Sequence, residues 1–202
     1  MSTSRFYGQI AGIGSSSGIR IVVGRWSSSP LGIFGDVMLE TADGHRLLLA
    51  PSDDVAQFIA DTYEFDEVQI VPVSIVGVRI WNVRAGELSL TIRIGSRNGL
   101  GLLLRLVPQR LAAQPWWNQF LDPIARRVLR GVRTQGSARS GRREYYGAHD
   151  QRAVAAISGT WRGSDLGSLQ AVKPPVRFGF SSTPATPSVT SLVTTVVDRA
   201  WD

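Results

Sequence analysis

The run FDEVQIVPVSIVGVRIWNVRAGELSLTIRI, residues 65–94, limits the fold more than any other part of the chain. Leu88, Leu90, Ile92 and Ile94 alternate with Ser89, Thr91 and Arg93, the period of two that sets one strand face on a core and the other in water. Upstream, Val76, Val78 and Ile80 alternate with Gly77, Arg79 and Trp81. The two runs predict a hairpin, and their phase decides its turn. A two-residue Ala85-Gly86 loop would set Trp81 opposite Leu90 and Arg79 opposite Ile92, driving an arginine onto the aliphatic face. A three-residue loop of Arg84, Ala85 and Gly86 sets Ile80 opposite Leu90 and Val78 opposite Ile92, with the glycine in the left-handed position. The second register is the expected one. It leaves Arg79, Trp81, Thr91 and Arg93 together on the other face.

The first half extends this pattern. Arg5–Gly14 and Ile19–Trp26 read as strands joined by the turn Ser15–Gly18. The glycines of Gly12-Ile-Gly14-Ser-Ser-Ser-Gly18 resemble a dinucleotide-binding turn. However, a phosphate cradle needs a helix directly after it, and Ile19, Ile21, Val22 and Val23 continue as strand. Asp36–Ala50 predicts a hairpin about an Asp43-Gly44 turn, with Leu39 opposite Leu48 and Met38 opposite Leu49. Its large apolar groups lie on both faces, so both need cover. Ser52 is suited to cap a helix over 53–63, with Asp53 and Asp54 in the first turn.

The second half is more helical in period. Asp122-Pro123 is a cap and first-turn pair for a helix carrying Ile124, Ala125, Val128, Leu129 and Val132. TQGSARSGRR, 134–143, reads as a mobile basic loop. Arg152–Trp161 and Val176–Phe180 read as strands. Val189, Leu192, Val193, Val196, Val197, Ala200 and Trp201 recur at spacings of three and four and predict a C-terminal amphipathic helix. The expected whole is one α+β domain over 1–202: a curved or barrel-like antiparallel sheet packed with a few helices.

Composition narrows the chemistry. With no cysteine and only His45 and His149, the chain lacks thiolate nucleophiles and cysteine-containing zinc sites, and no metal site or cofactor is expected. No nucleophile elbow and no His-Glu-x-x-His pattern occurs, and the reading leans away from an enzyme. No apolar run is long enough for a membrane span, and MSTSRFYGQI lacks a signal's apolar core, so a cytoplasmic protein is expected. The net charge of +6 is uneven, because Asp36–Glu87 is acidic and Leu88–Arg162 basic.

Three functional readings follow. Trp81, Trp116, Trp117 and Phe120 could wall a pocket for a small apolar or amphipathic ligand whose carboxylate Arg79 or Arg93 orients, in a non-catalytic binding protein. Alternatively Arg126, Arg127, Arg130, Arg133, Arg139, Arg142 and Arg143, with no acid between Pro123 and Arg143, could bind nucleic acid or another polyanion. The third reading is a structural homo-oligomer, motivated by the two apolar faces of the 36–50 hairpin. The segments FYGQIAGIG, IVVGRW and HRLLLAPSDDVAQFIADTYEFDEV resemble uncharacterised proteins of high-GC actinobacteria over the first third of the chain. That resemblance implies context and no activity, ligand or site.

Overall fold

The computed structural model describes residues 2–104, 135–137, 143–179 and 183–198. Strands β1 (Ser2–Ser15), β2 (Arg20–Ser28), β3 (Phe34–Glu40) and β4 (Arg46–Ala50) lead through helix α1 (Asp53–Ala60) to β5 (Glu67–Ile70) and β6 (Val73–Val76). Then come β7 (Ile80–Ala85), β8 (Leu88–Arg97), the short helix α2 (Gly99–Leu104), β9 (Gln135–Ser137) and the long β10 (Arg143–Trp161). The last are β11 (Ser164–Asp165), β12 (Leu169–Gln170) and β13 (Ser188–Asp198). They form one sheet in the order β5-β4-β3-β2-β1-β13-β10-β8-β7-β6, with β9 and β11 added to β10 and β12 to β1. Among the described residues only β4–β5 is parallel, and α1 supplies its crossover.

The sheet curls into a half-barrel, as the alternating first half predicts. Its far strand β6 packs over β3, where Gly35 leaves room for Ile75; a Cβ at that glycine would sit 2.6 Å from the Ile75 Cδ1. Inside the curl, Ala11, Ile13, Ile21, Val23, Leu39 and Leu49 meet Trp81, Val83, Leu90 and Ile92 in the main core. Among the described residues no helix is long and apolar enough to cross a membrane.

The hairpin of β7 and β8 takes neither of the registers weighed from sequence. Ala85 pairs with Leu88, Val83 with Leu90, Trp81 with Ile92 and Ile80 with Arg93, so Gly86 and Glu87 form the loop. Gly86 has φ +53 and Glu87 does not share a positive φ, the pattern of a type II′ turn. Burial decides the phase. Trp81 is 0% exposed on the inner face, whereas Val78 is left 83% exposed. Covering an indole is worth roughly 5 kcal/mol against about 2 for a valine, so the tryptophan takes the core position.

The β3–β4 hairpin shifts as well, with Met38 opposite Leu48 and Leu39 opposite Leu47. The Thr41 N–H donates to His45 O, and Gly44, at φ +92, closes a three-residue loop of Ala42, Asp43 and Gly44. Val37, Leu39, Leu47 and Leu49 therefore enter the half-barrel, while Leu48 and Ala50 meet Val55, Ala56 and Ile59 of α1. Both faces are covered within the chain, which removes this hairpin as a motive for oligomerisation. α1 starts as expected, the Ser52 side chain accepting from the Val55 N–H at 3.4 Å, and ends at Ala60, short of Tyr63.

The expected C-terminal helix is a strand over 188–198. β13 lies between β1 and β10 and is buried on both faces, Val189 and Val193 on one and Leu192 and Val196 on the other. Apolar residues on both faces hide the alternation and imitate helical spacing. Its run of valines and threonines suits a pleated strand. Arg152–Trp161 is strand, as expected, within the longer β10. Val176 to Gly179 is not strand: Val172, Val176 and Phe178 instead pack as a strap on Val22, on the outer side of the sheet. The expected helix at 122–133 lies outside the described residues, as do 134 and 138–142 of the expected basic loop; 135–137 form β9 and Arg143 opens β10.

Candidate functional site

At one end of the half-barrel the inward positions change character together. On β1, Ile13 and Ala11 are followed by Gln9; on β2, Ile21 and Val23 by Arg25; on β13, Val189 by Ser191. On β10 the inward Val154 is preceded by Arg152 and Asp150, and on the approach to β7 the inward Trp81 is preceded by Arg79. These polar groups surround a pocket of about 150 Å³ with Ile94 and Val189 below and Val78 on the rim. Within each strand, alternation explains why they share one side with the core residues.

Shifts of register in β10 and β8 complete the wall. Ala148 is opposite Leu192 but Asp150 is opposite Ser191, so His149 is an extra residue in β10, and a further shift between Val154 and Ala156 changes the inward set from Ile157 and Trp161 to Val154, Arg152 and Asp150. On the neighbouring strand, Ile94 is opposite Val154 and Arg97 opposite Arg152, so an extra residue between them brings Arg97 to the same side as Ile94. Arg97 Nε then reaches both Asp150 oxygens, at 2.9 and 3.1 Å. Burial pushes the Asp150 carboxyl up, but the hydrogen bonds and charge of Arg97, the Gln151 N–H and the charge of Arg152 outweigh it. The net result is a pKa below the ordinary carboxylate value, so Asp150 is ionised at neutral pH.

The guanidiniums are held loosely. Arg25 Nη1 donates to Gly77 O at 2.7 Å across the curl, with its Cζ 5.5 Å above the Trp81 ring. Arg152 Nη1 reaches Gly95 O only at 3.5 Å. Arg79 is exposed, and its side chain makes no hydrogen bond or ion pair to another described residue. Since each guanidinium carries five N–H donors, most donors here are unsatisfied by the described residues. The Ser191 hydroxyl accepts from Gln9 Nε2 at 3.1 Å and keeps its own O–H to donate. The pocket thus offers positive charge and directed donors beside a short apolar floor, the chemistry of anion recognition.

Of the residues singled out from sequence for a ligand, Arg79 lines this pocket, Trp81 is core beneath Arg25, and Arg93 lies opposite Ile80 on the exposed outer face. Trp116, Trp117 and Phe120 lie outside the described residues, with Arg126, Arg127, Arg130, Arg133, Arg139 and Arg142. Arg25, Asp150 and Arg152 were missed. The signal for Arg25 was legible, because it continues the apolar face of Ile21 and Val23; that for Asp150 and Arg152 was not, because the inward set of β10 changes at the shift between Val154 and Ala156. No protein-family model, curated protein or solved structure matches the chain. Among the described residues, no group of three or more histidines and carboxylates is placed to hold a metal ion.

Proposed function

We propose that this chain is a binding protein whose half-barrel mouth takes a small amphipathic anion. The anionic group lies among Arg25, Arg79 and Arg152, and a short aliphatic portion lies on Ile94, Val189 and Val78. The observation that carries this reading is the convergence of three arginines on one pocket whose only carboxylate among the described residues, Asp150, is already engaged by Arg97. Size supports it too: a cavity of about 150 Å³ suits a benzene-sized molecule of roughly six heavy atoms, below the usual range for large cofactors.

The test is calorimetric titration of the full chain with isovalerate and with the uncharged isoamyl alcohol. Isovalerate binds saturably and the alcohol does not. Arg79→Ala weakens isovalerate binding about tenfold or more, the worth of a lost charge-assisted hydrogen bond. Equal binding of the two probes, or isovalerate binding untouched by Arg79→Ala, overturns the reading.

A further inference from the structure

Asp150 is an awkward residue for a pocket that takes a bare anion. It lies in the same wall as Arg152 and repels any carboxylate brought there, and Arg97 offsets that repulsion only in part. Yet the pairing of β10 shifts three times in this corner, at His149, between Ile94 and Arg97 of the neighbouring β8, and between Val154 and Ala156, and Asp150 and its partner end on the inner face. Had charge neutrality been the only requirement, an outward Asp150 and Arg97 would have served as well.

The carboxylate becomes useful when the ligand carries a cation next to its anion. Arg97 approaches Asp150 through Nε alone, leaving lone pairs on both oxygens. Gln9 Oε1 and Ser191 Oγ are further acceptors in the same pocket. An ammonium group has three donors and needs such a set, while the adjacent carboxylate needs the guanidinium donors on the other side. Resting on the anion-binding reading above, we propose that the mouth recognises the zwitterionic head of a free α-amino acid with a small aliphatic side chain. The ammonium is held by Asp150, Gln9 and Ser191, the carboxylate by Arg79, Arg25 and Arg152, and the side chain by Ile94, Val189 and Val78. The pocket volume of about 150 Å³ admits a side chain of valine size and discriminates against aromatic ones.

Three probes built on one isobutyl core separate the contributions: L-valine, isovalerate without the amine, and isobutylamine without the carboxylate. In titrations of the full wild-type chain, valine binds about tenfold or more tightly than isovalerate, and isobutylamine more weakly than both. Asp150→Asn lowers valine affinity to the isovalerate level and leaves isovalerate equal or tighter. Isovalerate binding as tightly as valine in the wild type overturns the zwitterion and leaves the anion reading standing. Isobutylamine matching valine, or no binding of any probe, overturns both. The wild-type comparison decides by itself if Asp150→Asn does not fold.

Discussion

Two clusters of arginine and carboxylate lie on opposite sides of the same sheet, and they use their charge differently. On the outer side Glu40, with a side chain 1% exposed, accepts from Arg20 Nη2 and Arg177 Nε on one oxygen, both at 2.9 Å, and from the Arg177 backbone N–H on the other at 2.8 Å. Arg20 also donates to Thr41 O and Arg177 to Gly44 O. The Arg177 contacts tie the 172–178 strap to the β3–β4 hairpin, and the Arg20 contacts tie β2 to it. In the mouth, by contrast, Arg25 and Arg152 reach one backbone carbonyl each and Arg79 reaches no described partner. A charge surrounded by internal partners fixes chain segments to one another, whereas a charge with spare donors in a pocket is available to a ligand.

The contrast is broken most severely at Glu40. Glu40→Ala leaves the buried Arg20 without its carboxylate and frees the strap, and the expected loss is about 3–5 kcal/mol in urea unfolding. A loss under 1 kcal/mol would mean that the cluster does not hold the fold.

Asp36 sharpens the comparison because it is a buried carboxylate with few donors. Burial raises its pKa from 3.8 to about 6, against the lowering hydrogen bond from Trp26 Nε1 at 2.8 Å. A carboxyl whose folded pKa is raised contributes most stability below its unfolded value, near pH 4, and loses it as pH rises towards 6. The change is about 3 kcal/mol and complete above that range. Asp36→Asn cannot titrate there. Its stability relative to wild type therefore improves by about 3 kcal/mol between pH 4 and pH 7.5, followed by thermal or urea unfolding at each pH. Parallel profiles for the two proteins would refute the assignment.

The smallest effect is expected in the mouth. Arg79→Ala changes unfolding stability by less than about 0.5 kcal/mol, because its exposed guanidinium has no described partner to lose. A larger loss would place Arg79 with the structural arginines and weaken its assignment to a ligand.

Some of this molecule was legible from local rules. The alternation in 88–94, the β1–β2 turn and the Ser52 cap are short-range features in which each residue's neighbours state the outcome, and all three appear as expected. What sequence by itself determined was the β-rich α+β class with its curled antiparallel sheet. Tertiary structure decided the rest. Burying Trp81 moved the β7–β8 register, and cover on both faces turned the 188–198 run from apparent helix to central strand. Register shifts in β10, at His149 and between Val154 and Ala156, set Asp150 and Arg152 at the mouth. A single-residue shift exchanges the two faces of a strand, so the location of every long-range side chain depends on pairings made with partners far along the chain.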